Sequence, residues 1–234
     1  MIRDEISRPR ARLRGKALAG GVLAAGILIA AEPVHAHPHV WIETHSDVVF
    51  DEEGRIAAIN VEWQFDEMYS AVAIEGLDTD GNGRYDPEEL QPLAAENISA
   101  LKEYDYFTYL KADGEQVAYG DVAEFGQFYK DGYLSLYFTV PLAKPVDPRK
   151  AEVEYAIYDP TFYIAIEPAP KEPVKMIGAA PASCRYEIRK SAAEADNFQY
   201  SEDFWTQQSN ANEGMGAMFA RPVDVVCNSK SAAR

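Results

Sequence analysis

Apolar and polar residues alternate from Val40 to Phe50 and again from Ile56 to Phe65. A period of two predicts β-strands with one buried face. Asp51-Glu52-Glu53-Gly54-Arg55 separates them, so the pair reads as a hairpin closed by a glycine-containing loop. A helical segment at about Glu67 to Ile74, an acidic loop and a second helix at about Pro87 to Leu101 follow. The pattern then returns to strands. Tyr106 to Lys111 and Glu115 to Tyr119 flank Asp113-Gly114, while Glu124 to Tyr129 and Tyr133 to Val140 flank Asp131-Gly132. Asp-Gly between alternating runs is a strong hairpin signal, because both residues tolerate the left-handed conformation of a tight turn. Glu152 to Tyr158 and Phe162 to Ile166 surround Asp159-Pro160, and prolines punctuate the chain from 168 to 181. Cys184 to Ile188 and Val223 to Cys227 read as strands joined by a polar, partly helical stretch. The expected fold is α+β: one domain, a mainly antiparallel sheet or sandwich, with an EF-hand-like helix-loop-helix inserted at about 66–101.

Residues 1–36 read as a secretory signal. Arg8, Arg10, Arg12, Arg14 and Lys16 precede the 15 uncharged residues Ala17 to Ala31, and Val34-His35-Ala36 satisfies the small-residue rule for cleavage. A bilayer span needs roughly 20 apolar residues, so this run suits a cleaved leader better than an anchor. The expectation is a periplasmic or secreted protein beginning at His37 and occupying 37–234. Cleavage would remove six of the 22 basic and three of the 38 acidic residues, moving the formal charge from −16 to −19. Such a field disfavours nucleic acid and anionic lipid and favours cations. An oxidising compartment makes Cys184–Cys227 a disulfide, worth about 3 to 4 kcal/mol by the loop entropy it removes.

The acidic loop, DTDGNGRYDPEE at 78–89, carries the ligand pattern of an EF-hand. Asp78, Asp80 and Asn82 supply oxygens at positions 1, 3 and 5, and Gly83 permits the turn at 6. The Arg84 carbonyl serves position 7, Asp86 position 9, often through water, and Glu89 closes position 12. Asp86, Pro87 and Glu89 also form a helix start, with Tyr85 and Leu90 as a hydrophobic staple. Tyr85 stands where an aliphatic residue is usual, Pro92 comes early in the exiting helix, and no partner loop exists in the chain. A lone exported loop suits structural calcium or a millimolar-range site.

All four histidines lie between residues 35 and 45. On a strand His37, His39, Trp41, Glu43 and His45 share a face, with His37 and His39 about 6.7 Å apart and His45 roughly 20 Å from His39. A turn centred near Glu53 would bring Phe65 to Glu67 opposite His39 to Trp41, so Asp66 or Glu67 could join His37 and His39. Two imidazoles and a carboxylate suit zinc, nickel, cobalt or copper(II). A mature His37 would add an α-amine. Pro38 has no ionisable amide, which excludes the amine-amide-amide-imidazole site but leaves a copper histidine brace open. In the plain alternative the histidines are ordinary strand residues, with Trp41 in the core and His45 exposed.

HPHVWIE at 37–43, WQFDEMYS at 63–70 and YDPTFYIAI at 158–166 resemble a family of exported bacterial proteins of unknown function, usually described as the periplasmic component of an uncharacterised ABC-type transport system. The resemblance covers most of the chain after residue 36. It implies metal handling beside a nickel/cobalt-type or zinc-linked system, with His37, His39, Asp66, Glu67 and Asp159 as candidate ligands and an inner-membrane metal transporter as partner. Ordinary solute receptors are larger and two-lobed, so a metal-binding accessory protein is the expected function. A calcium-stabilised interaction module without a transition metal is the alternative, and a copper enzyme the third class. No Ser/His/Asp or Cys/His set and no phosphate loop is visible, so an enzyme is not expected.

Overall fold

The first strand is paired along both edges, and its alternation buries one face while leaving the other largely to solvent. In a computed structural model that describes residues 38–195 and 214–227, β1 (Val40–Phe50) pairs antiparallel with β2 (Ile56–Phe65). Residues 1–37, including the expected leader, His35 and His37, lie outside the described residues. The remaining strands are β3 (Thr108–Ala112), β4 (Glu115–Gln116), β5 (Phe125–Lys130), β6 (Tyr133–Val146), β7 (Val153–Ile157), β8 (Ile164–Pro168), β9 (Val174–Gly178), β10 (Cys184–Ile188) and β11 (Val223–Cys227). One sheet runs β5-β6-β2-β1-β8, with β9 on the far half of β1; the other runs β10-β11-β7-β3-β4. Most pairings are antiparallel, and β8 and β9 run parallel to β1. The fold is α+β, as the alternation predicts.

The inner faces of both sheets contribute to one apolar core. Val48, Ile59, Val61, Trp63, Leu134, Leu136 and Phe138 come from the first sheet; Leu110, Val153, Tyr155, Val223 and Val225 come from the second. Ser46 Oγ and Tyr155 OH lie 2.7 Å apart between them, so the buried phenol has a partner. α1 (Glu67–Ala73) and α2 (Pro87–Leu101) match the expected helices. Leu90, Ala94 and Ile98, four residues apart, are the buried stripe of α2. Ser70 on α1 is fully buried; its hydroxyl accepts the Leu134 N–H at 2.9 Å and ties the helix to β6. The Cys184–Cys227 disulfide joins directly opposed residues of β10 and β11.

Both Asp-Gly turns form with positive φ at Asp113, Gly114, Asp131 and Gly132. Several local expectations change. Tyr106 and Phe107 belong to a left-handed turn after α2 and not to a strand, with Asp105, Tyr106 and Phe107 all at positive φ. β4 has only two residues. Asp159-Pro160 joins strands of different sheets, and the proline-rich stretch contains β9. Trp41 is 54 % exposed, because the buried face of β1 starts at Val40 and Ile42; it is not core.

Candidate metal centres

The loop 78–89 is organised by its own backbone. Asp78 accepts the Asn82 N–H on Oδ1 at 3.0 Å and the Gly83 N–H on Oδ2 at 2.9 Å. Asp80 Oδ1 accepts the same Asn82 N–H at 3.0 Å, and Asn82 Oδ1 accepts from Arg84 N at 2.7 Å. Gly83, at φ +77°, supplies the conformation that lets these amides turn inward. At the other end Glu89 Oε1 accepts the Thr79 N–H at 2.7 Å and the Thr79 hydroxyl at 2.8 Å, while Oε2 accepts the Asp86 N–H at 3.1 Å. Bonds from the Thr79 hydroxyl and from the Asp86 and Thr79 amides hold the Glu89 carboxyl below the usual carboxylate range. Glu89 thus caps α2, as its spacing predicts, and also bonds back to the start of the loop at Thr79.

Carboxylate oxygens of Asp78, Asp80 and Glu89 all lie within 4.8 Å of one another. Among the described residues this is the one set of three or more acidic, histidine or cysteine side chains so converged. Three anions at that range repel, and a hard divalent cation is the chemistry that relieves them. Asp86 stands outside the trio, at the N-cap of α2, consistent with a position that ligates through water. Tyr85, the unusual residue at position 8, packs edge-on against Tyr129 of β5 at 5.0 Å, so the loop docks on the sheet where a second loop would otherwise support it. Sequence reading missed Thr79; its signal was a hydroxyl at position 2, within reach of the closing glutamate.

The histidine end is built differently. Opposite Asp66 stands Trp41, not Val40: the register shifts between Val49 and Phe50, where a bulge near the turn displaces the pairing by one residue from the symmetric hairpin. Asp66 accepts the Trp41 N–H on Oδ2 and the Tyr69 N–H on Oδ1, both at 2.9 Å, and is the N-cap of α1. Glu67 is exposed in the first turn of that helix. His39 donates its backbone N–H to the Tyr163 carbonyl at 2.8 Å, and the two rings lie 4.5 Å apart. His39, Asp66 and Glu67 occupy the same end of the sheet without forming a converged trio. His45 lines a polar depression of about 490 Å³, its Nδ1 3.1 Å from the Glu172 carbonyl. Asp159 is 4 % exposed, and its oxygens accept from Thr161 N, Thr161 Oγ1 and Ile164 N, which fixes the turn into β8.

Residues 38–43 of the first segment, WQFDEMYS and YDPTFYIAI therefore meet at one end of one sheet. Residues 22–227 match a family model described as a protein of unknown function. The chain belongs to the DUF1007 family. An uncharacterized protein of Haemophilus influenzae is 26 % identical over 196 residues, covering 83 % of this chain and 92 % of that protein. An uncharacterized 15.5 kDa protein in the trpE 3' region of Spirochaeta aurantia is 34 % identical over 86 residues, 37 % of this chain and 61 % of that protein.

Proposed function

We propose that this DUF1007 protein is an exported metal-binding accessory protein of a transition-metal transport system, without catalytic chemistry of its own, whose 78–89 loop holds a structural calcium ion. The observation that carries the reading is the convergence of Asp78, Asp80 and Glu89 within 4.8 Å in a loop with EF-hand spacing. Calcium there would bind the Asp78, Asp80, Asn82 and Glu89 side chains and the Arg84 carbonyl, with Asp86 acting through water. The ion would fix α1 and α2 against the sheet.

The exchangeable transition ion, zinc first and nickel, cobalt or copper after it, is assigned to His37 and His39 with Asp66 or Glu67. What supports this second site is the shared location of His39, Asp66 and Glu67 at the end from which the chain would begin after cleavage. Asp66 keeps free lone pairs beyond its two backbone bonds, and Glu67 is exposed. An imidazole must be neutral to ligate, so binding should weaken below about pH 6. Elemental analysis of protein purified from the periplasm tests both assignments. One calcium per chain and a transition metal lost in His39→Ala support them. Calcium alone, with zinc affinity unaltered by His39→Ala, reduces the function to a calcium-stabilised interaction module.

A further inference from the structure

Next to the end where the three segments meet, the outer face of the first sheet carries an unusual surface. Trp41 is 54 % and Tyr133 37 % exposed, and both line a depression of about 350 Å³. Glu43, Glu67 and Glu167 line the same depression, all exposed, and no Lys, Arg or His is among its lining residues. Glu43 stands directly opposite Glu167 in the parallel β1–β8 pair. Like charges facing across strands destabilise a sheet. No ion pair joins any of these three carboxylates to a described basic residue. α1, which leaves this end of β2, exposes Met68 at 80 % and Val72 at 67 %, four residues apart on one side of the helix.

Exposed aromatic and apolar side chains interleaved with unpaired carboxylates mark an interface, and their charge selects the occupant. A second copy would bring carboxylate against carboxylate, and nucleic acid or an anionic lipid surface would be repelled in the same way. A guanidinium or ammonium group fits both halves of the surface: carboxylates accept its hydrogen bonds, and the faces of Trp41 and Tyr133 attract its charge. We propose that this depression docks a basic, extended segment of a partner protein bearing arginine or lysine between apolar residues. Asp66 and Glu67 line the depression and are also candidate ligands of the proposed histidine site, whereas Trp41, Tyr133, Glu43 and Glu167 belong to neither metal site, so the variants of the test are confined to Glu43 and Glu167.

The test uses the exported full chain and two synthetic ten-residue probes, one alternating arginine with valine and one with glutamate in place of arginine, titrated by calorimetry. The arginine probe should bind and weaken as salt rises, and the glutamate probe should not. Glu43→Gln/Glu167→Gln, which keeps the side-chain shape, should weaken binding about tenfold or more, because two charge-assisted contacts are lost. Glu115→Gln on β4 should leave it unchanged. The result should be the same in calcium and in chelator, which separates failure here from failure of the calcium assignment. Equal affinity of wild type and the double variant, equal binding of both probes, no binding of the arginine probe up to millimolar concentration, or a concentration-dependent dimer with no probe present would each overturn the proposal.

Discussion

Asp66 joins two elements through one carboxylate, and removing it tests how the histidine end is assembled. One oxygen accepts the Tyr69 N–H and starts α1; the other accepts the Trp41 N–H and holds the start of β1. Losing an N-cap costs about 1 kcal/mol, and a hydrogen bond to a charged group is worth about 1.5 to 3. Both bonds are partly open to water, so the freed amides can be solvated, and the lower end applies. Asp66→Ala should therefore cost about 2 kcal/mol. In a domain near this size that lowers Tm by roughly 4 to 8 °C. Asp66→Asn, which keeps one acceptor oxygen, should cost about half as much. Urea unfolding gives the free-energy change, read as a shift in midpoint at constant slope. Hydrogen exchange of the Trp41 and Tyr69 amides identifies its origin, and both should lose protection together. A loss below about 0.5 kcal/mol, or a Trp41 amide still protected in Asp66→Ala, would refute this assembly. A loss that appears only with zinc present would mean that Asp66 acts through the metal instead.

Reduction of Cys184–Cys227, or replacement of both cysteines by alanine, should cost about 3 to 4 kcal/mol in the loop-entropy account. Because, among the described residues, β10 pairs within its sheet only with β11, exchange protection should fall first at Arg185 to Ile188. Acid should remove a smaller increment through Asp147, whose carboxyl is held down at about 2 by the Arg149 side chain, and by the Arg149 amide and Lys150. A depressed folded value stabilises above the unfolded value near 4 and is lost as pH falls toward about 2. After screening of its exposed partners the effect is about 1 kcal/mol. Asp147→Asn should flatten the stability profile in that window, and an unaltered profile would contradict the assignment.

Local chemistry made much of this molecule legible in its sequence. Alternation located β1 and β2, Asp-Gly located two turns, and the spacing from Asp78 to Glu89 located the converged carboxylates, because each signal acts within a few residues. What was not legible depends on distant partners. β9 is a strand because β1 offers it an unpaired edge, so the surrounding prolines hid it. The one-residue register shift arises from a bulge near the hairpin turn, and it sets Asp66 against Trp41. Trp41 is core in the plain alternative and on the histidine face in the metal reading; the burial of Val40 and Ile42 on the opposite face turns it to solvent. Asp159 enters as a candidate ligand through the resemblance alone, and its carboxylate accepts the Thr161 and Ile164 amides in the turn into β8, a bond pattern that depends on how that turn folds.

Calcium titration of the chelator-treated protein, followed by calorimetry and by thermal unfolding, tests the central claim most directly. One ion should bind per chain, with an affinity between about 10⁻⁵ and 10⁻³ M. Free calcium at about 100 times the dissociation constant should add about 2.7 kcal/mol, raising Tm by roughly 5 to 10 °C. Glu89→Gln keeps one acceptor oxygen, which can serve Thr79 or the Asp86 N–H but not both, so its calcium-free stability should fall modestly and is the baseline against which its calcium response is read. Its calcium affinity should fall by about tenfold or more, because the bidentate carboxylate is gone. An unchanged Tm at millimolar calcium with no binding heat, or full-strength binding by Glu89→Gln, would contradict the assignment of this loop as a calcium site.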